Sequence, residues 1–102
     1  MLRINGRDYE LRYPINTLCT MCDAGLDVVN MDKMVINVKT IRELFMYGLR
    51  YENKKMTQNQ AGELIDNFID EGGDFNVLID EVLNALGKSL GGGDSDNEEK
   101  GK

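Results

Sequence analysis

The sequence predicts an α+β fold that is mostly helical, with an N-terminal β-hairpin, about four packed helices and a disordered acidic C-terminal tail. Three observations predict it. Asn5-Gly6 separates two short runs of alternating apolar residues, helical apolar spacing follows Pro14, and apolar residues stop at Leu90. A chain of 102 residues leaves no room for a second independent core, so residues 1–90 are expected to form one globular domain.

The hairpin is predicted by its turn. Asn-Gly is the preferred pair for a tight two-residue turn, because both positions need positive φ. The alternating apolar residues are Leu2 and Ile4 before the turn, and Tyr9, Leu11 and Tyr13 after it. Pro14 is expected to end the second strand. An isolated hairpin is marginal in water, so this one must pack its apolar face on something else.

A first helix is predicted from Ile15 to Ala24, with Gly25 as its C-terminal cap. Its apolar stripe is Ile15, Leu18, Cys19, Cys22 and Leu26. Because both cysteines fall on this stripe, we predict buried structural thiols. A zinc site is disfavoured, since the chain has no histidine and no second cysteine pair. The next segment, Asp27–Lys39, is compatible with a short strand, a loop or the start of the second helix.

The second helix is predicted to run to about Tyr51. Thr40–Glu43 has the form of a capping box, and Asn37 is a rival cap one turn earlier. Leu44, Phe45, Met46 and Tyr47 are consecutive and Leu49 follows, so apolar residues wrap more than one face. Such a helix is either central in the fold or covered by a partner.

Two further helices are predicted. Thr57–Gln60 is a second capping box, and Gly72-Gly73 ends the helix that it begins. Asp74 is the expected cap of the last helix. The apolar stripes are Ala61, Leu64, Ile65, Phe68 and Ile69 in the third helix, and Phe75, Leu78, Ile79, Val82, Leu86 and Leu90 in the fourth, widened by Val77 and Leu83.

Two other features complete the prediction. Gly48 and Gly62 lie inside helices, where glycine is unfavourable, and close helix approach is the expected reason. Residues 91–102 read GGGDSDNEEKGK, without one apolar side chain. Such a segment buries too little surface to offset its ordering entropy, so we predict disorder there.

The charge balance and the missing histidine exclude several functions. Lys and Arg number 12 against 18 Asp and Glu, a formal net charge of -6, so nucleic acid and anionic membranes are not expected partners. Without histidine, Ser-His and Cys-His nucleophile pairs are absent, and we expect no enzymatic activity, metal or cofactor. No signal peptide or membrane span is seen, which favours a cytoplasmic protein.

Two binding functions stay open as alternatives. Asp70–Glu81 has the length of a calcium loop between two helices. It departs from the pattern at Gly72, which offers no side-chain ligand, and at Phe75, where the turn requires glycine. The second alternative is an acidic inhibitor that occupies the nucleic-acid-binding site of a host protein.

The chain resembles the tail assembly chaperones of long-tailed (siphovirus-type) phages of Gram-positive bacteria. These proteins often open with an INGK-x-Y-x-L-x-Y-like hairpin, matched here by residues 4–13. They often carry an LFYAGL-like central helix, followed by a polar turn and a Thr-initiated helix. The matching residues here are Leu44-Phe45-Met46-Tyr47-Gly48-Leu49, then 52–55 and Thr57, then 63–66 and Gly72-Gly73.

The resemblance implies a non-catalytic function. Such chaperones coat the aggregation-prone tape measure protein and recruit tail tube subunits, then leave before the tail is complete. It also implies the cytoplasm of the infected bacterial host, and absence from the mature virion. We predict the partner contacts on and after the second helix, at Phe45, Met46, Tyr47, Leu49, Tyr51 and Met56. The hairpin edge offers a further site for self-association by strand addition, giving a homo-oligomer.

Overall fold

A two-stranded antiparallel hairpin and four α-helices make up the computed structural model, which describes residues 2–91 without the side chain of Met31. The predicted fold class is confirmed. In chain order the elements are β1 (Leu2–Ile4), β2 (Arg7–Tyr9), α1 (Ile15–Asp23), a 3₁₀ helix (Val28–Lys33), α2 (Val38–Leu49), α3 (Gln58–Asp70) and α4 (Phe75–Ser89). Disorder is predicted for residues 91–102, and of these residues 92–102 lie outside the described part of the chain.

The hairpin turn has the predicted chemistry. Asn5 and Gly6 have φ of 55° and 76°, and the register pairs Leu2 with Tyr9. The predicted extension of the second strand to Tyr13 is wrong, because β2 ends at Tyr9. No residue of β1 lies opposite the chain beyond that point, so residues 10–14 stay extended without a paired strand. Leu11 is still buried, as the alternation predicts.

Tyr13 anchors this extended segment to α2. Its side chain is buried, and its hydroxyl donates a hydrogen bond of 2.6 Å to the main-chain oxygen of Leu44. A Cβ atom added at Gly48 would lie 2.6 Å from that hydroxyl oxygen. Close approach therefore explains Gly48, but its neighbour is the extended segment and not a second helix. At Gly62 the nearest group is the Arg42 side chain, with Cδ 3.3 Å from the added Cβ.

The first helix presents a different face to the core from the predicted one. Its buried residues are Leu18 and Met21, while Cys19 and Cys22 are both exposed. The prediction of buried thiols is therefore wrong. In this short helix, two overlapping stripes of residues are able to face the core. The stripe with Met21 removes more apolar area from water than the stripe with the cysteines, because the Met21 side chain is larger. The cap at Gly25 is as predicted, with φ of 90°.

The segment that the sequence left open contains the 3₁₀ helix, which is kinked at Asn30. A bend at Met34 and irregular chain follow, and Asn37 itself is extended. Asn37 is the N-cap of α2, and its Oδ1 accepts a hydrogen bond of 2.9 Å from the main-chain N–H of Thr40. The rival cap is thus confirmed and the Thr40–Glu43 capping box is wrong. Thr40 donates its hydroxyl hydrogen to the main-chain oxygen of Val35.

The last two helices begin where their caps predict. Thr57 and Gln60 form a complete capping box, and Asp74 accepts a hydrogen bond from the N–H of Asn76. The buried stripe is Ala61, Ile65 and Phe68 in α3, and Leu78, Val82 and Leu86 in α4. Of the predicted stripes, Ile69 and Leu90 are exposed, as are the widening residues Val77 and Leu83.

The core is one continuous cluster of buried side chains that extends from β1 to α4. α2 lies at its centre, packing against α3 and α4, while β1 packs on α3. The turn of the hairpin is also held to the end of α3, since the N–H of Asn5 donates a 2.8 Å hydrogen bond to Glu71 Oε2. Within residues 2–91, the helices are too short or too polar to cross a membrane.

Candidate protein-binding site

The predicted contact residues fall into two groups. Phe45, Met46, Leu49 and Met56 are buried in the core, which shows α2 to be the central helix of the fold. A partner would reach them only if the core opened. The other two, Tyr47 and Tyr51, reach the surface: Tyr47 is partly buried and Tyr51 is 51% exposed. Partner binding by all of these residues stays a prediction, and the structure places only these two where a partner has access.

Tyr51 lies in an open groove, which we call the α4 groove. One wall is formed by the extended residues 10–14 with Ile15, the first residue of α1. The other wall is formed by residues of α4 between positions 81 and 89. The groove encloses about 1120 Å³. It forms because residues 10–13 extend beyond the hairpin and run past the end of α2 toward α4, leaving a space between segment and helix.

The groove carries exposed apolar side chains on each of its sides. Ile15, at the start of α1, is 64% exposed, and Leu83 of α4 is also exposed. Together with Tyr51 they form the apolar part of the lining, and polar side chains such as Asn84 and Ser89 form the rest. Apolar grooves rimmed by polar residues are typical of protein–protein interaction sites. The arrangement is therefore suited to binding an amphipathic segment.

Charged residues line the rim of the groove. Arg12 forms an ion pair of 3.2 Å with Glu10, and its guanidinium lies 5.2 Å from the centre of the Tyr51 ring. This cation–π contact holds Tyr51 beside the extended segment. Lys88 lies at the opposite wall, on the last turn of α4. The rim thus offers charges of both signs to a partner.

The acidic residues between α3 and α4 hold the fold together. Glu71 accepts the hydrogen bond from Asn5, and Asp74 caps α4. Since α4 begins at Phe75, the second half of the stretch considered as a calcium loop is helical. Among residues 2–91, there is no group of three or more acidic or cysteine side chains that would hold a metal ion.

The sequence did not indicate Ile15 and Leu83 as surface residues. Both belong to predicted apolar faces of helices, and periodicity alone does not tell which edge of such a face is left uncovered. The groove itself joins residues 10–15 with residues 81–89, which no local pattern connects.

Comparisons of the chain with protein-family models, curated proteins and solved structures give no significant match.

Proposed function

We propose that this protein is a non-catalytic tail assembly chaperone of a long-tailed phage. In this proposal it binds an amphipathic segment of the tape measure protein and helps to recruit tail tube subunits. The observation that carries the proposal is the open α4 groove, in which Tyr51, Ile15 and Leu83 expose apolar surface. The hairpin and central-helix motifs of the sequence supply the link to phage tails.

The groove supports chaperoning because it combines two properties. Its apolar lining covers apolar surface of the partner that would otherwise drive aggregation. Burying such surface stabilises a complex by about 25 cal/mol for each Å². Its rim carries Arg12, Glu10 and Lys88, which keep the empty groove hydrated. The net charge of -6 further disfavours association with other acidic proteins in the cell.

Tyr51 is the residue best placed to report on partner binding. It is exposed, it lines the groove and it belongs to the predicted contact set. Tyr51→Asp places a charge in the apolar lining without touching the core. Val77→Asp is the matched control, because Val77 is 49% exposed on α4 and does not line the groove.

The test is co-expression with the tape measure protein encoded by the same phage, followed by size-exclusion chromatography with light scattering. We expect a soluble complex with the wild type and with Val77→Asp, and at least a tenfold weaker complex with Tyr51→Asp, which corresponds to about 1.4 kcal/mol. Circular dichroism confirms that both variants fold. A tape measure protein that stays insoluble beside the wild type, or binds all three proteins equally, contradicts the proposal.

A further inference from the structure

We propose that Asn5 is a site of spontaneous deamidation, and that this modification releases the hairpin from α3. The main-chain nitrogen of Gly6 attacks the side-chain amide carbon of Asn5, and hydrolysis then leaves a carboxylate at residue 5 in place of the neutral amide. This modification concerns the hairpin alone, so it does not depend on the α4 groove or on the proposed phage partner.

The residue that follows Asn5 favours the reaction. The attacking nitrogen must come close to the amide carbon, and glycine has no side chain that would hinder this approach. Asn5 is the only asparagine in the sequence that glycine follows. Both residues are exposed in the turn between β1 and β2, so water has access to the reacting groups.

The reaction needs water and no other reactant. A bond forms between the Gly6 nitrogen and the side-chain carbon of Asn5, and the bond from that carbon to the amide nitrogen breaks. The amide nitrogen leaves as ammonia and takes the proton of the Gly6 N–H, which gives a five-membered cyclic imide. Water then opens the imide at either carbonyl. One opening gives aspartate, and the other gives isoaspartate, in which the main chain runs through Cβ and Cγ.

The folded turn controls the first step. Asn5 has φ of 55°, the left-handed conformation that a tight Asn-Gly turn requires. In the left-handed region ψ is about 30–60°, which directs the next main-chain nitrogen away from the side chain. The imide ring therefore closes only after rotation about the Cα–C bond of Asn5, when the turn is open. Because each strand of the hairpin has three residues, such local openings recur in the folded protein.

One hydrogen bond opposes this opening. The N–H of Asn5 donates a 2.8 Å bond to Glu71 Oε2, and Glu71 is the C-terminal cap residue of α3. The bond fixes Asn5 against the end of the helix and so holds the turn in place. Glu71 thus slows the modification as long as the hairpin is docked.

The carboxylate that protects the amide repels the product. Oε2 of Glu71 lies 2.8 Å from the Asn5 nitrogen, and both products place a carboxylate a few covalent bonds from that nitrogen. Like charges at so short a separation repel each other. Isoaspartate also lengthens the main chain within the two-residue turn, and the turn length sets the register that pairs Leu2 with Tyr9. The modification therefore weakens both the strand pairing and the contact with α3.

Peptide mapping by mass spectrometry, on the full-length protein incubated in mildly alkaline buffer, measures the modification. We expect aspartate and isoaspartate at residue 5 before the exposed Asn53 reacts, since Lys54 follows Asn53. Glu71→Ala should modify Asn5 about fivefold faster, the effect of losing one hydrogen bond on the opening of the turn. The matched control is Asp70→Ala, which removes a neighbouring exposed carboxylate and should react at the wild-type rate. An Asn5 that reacts no faster than Asn53, or an equal rate in Glu71→Ala and the wild type, overturns the proposal.

Thermal unfolding tests the release of the hairpin. Asn5→Asp reproduces the charge of the product without lengthening the main chain. We expect it to lower the melting temperature by about 2–4 °C, the shift for a repulsion between exposed charges in a domain of this size. In the Glu71→Gln background the shift should be smaller, because glutamine keeps a hydrogen-bond acceptor and has no charge. The isoaspartate form, separated by ion exchange through its additional negative charge, should melt below Asn5→Asp. Equal shifts in both backgrounds, or an isoaspartate form that melts with the wild type, would show that the hairpin stays on α3.

Discussion

In residues 2–91, the buried core is apolar apart from the hydroxyl of Tyr13. This hydroxyl donates a hydrogen bond to a main-chain oxygen. Burial raises the pKa of Tyr13 well above its ordinary value of about 10. The folded protein therefore keeps this proton at a pH where the unfolded chain releases it. The resulting stability is fully present below about pH 10 and is lost as the pH rises further, by up to about 1.36 kcal/mol per pH unit.

Tyr13→Phe should accordingly change both the stability and its pH dependence. At pH 8 we expect the variant to be less stable by about 1 kcal/mol, because it lacks the hydrogen bond to Leu44. Between pH 10 and pH 11 the wild type should lose stability more steeply than the variant, so the difference narrows. Urea unfolding at a series of pH values measures both quantities. Equal slopes for the two proteins would contradict the assignment of the titration to Tyr13.

Cys19 and Cys22 provide a second test at the scale of single residues. Both are exposed on α1, so a thiol reagent such as dithionitrobenzoate should react with both in the folded protein, at a rate comparable with that in urea. Cys19→Ser/Cys22→Ser should change the free energy of unfolding by less than about 0.5 kcal/mol, as surface substitutions do. Thiols that react only after unfolding would show that α1 turns this face to the core.

At the scale of elements, the sequence predicts best what neighbouring residues determine. The hairpin turn at Asn5-Gly6 and the caps at Thr57 and Asp74 are set by local backbone and side-chain chemistry, and all three are confirmed. The end of β2 depends instead on the length of the opposite strand. The buried face of α1 depends on which of two stripes the rest of the core accepts, and periodicity does not rank them.

Gly48 and Gly87 are a matched pair of helical glycines. A Cβ atom at Gly48 would meet Tyr13, whose ring cannot move without breaking its buried hydrogen bond, whereas a Cβ at Gly87 meets nothing within 4 Å. Alanine gains up to about 1 kcal/mol of helix propensity at either site. We expect Gly87→Ala to raise the melting temperature. Gly48→Ala should lower it, because overpacking costs about 1–3 kcal/mol. Stabilisation by both variants would contradict the close approach at Gly48.

At the scale of the whole molecule, the predicted contact residues overlap with the candidate site at one position. The apolar run in α2 indicated either a central helix or a partner surface, and only the surrounding elements show that it is central. That position is Tyr51, which follows the run and lines the α4 groove, while its role in binding stays a prediction. The opposite wall of the groove comes from the far end of the sequence, which explains why the groove itself was not predicted.

The response to calcium distinguishes the proposed chaperone function from the alternative calcium-binding function. The carboxylates of Glu71 and Asp74 already accept hydrogen bonds from main-chain N–H groups, so we expect no calcium site between α3 and α4. The melting temperature in 5 mM calcium chloride should therefore equal the melting temperature in 5 mM magnesium chloride. A rise specific to calcium would favour the alternative, because a ligand that binds only the folded state stabilises it.

The hydrogen bond from Asn5 to Glu71 also bears on how the chain folds during its synthesis. The bond joins residues 66 positions apart, and β1 packs on α3. At about 5–20 residues per second, a ribosome takes about 3–13 s to advance from one to the other. Throughout that interval the hairpin, which is made before α3, has no α3 on which to dock. Although they precede α3 in the sequence, Leu2 and Ile4 therefore cannot complete their packing at once, and both stay accessible to folding factors of the cell until α3 emerges.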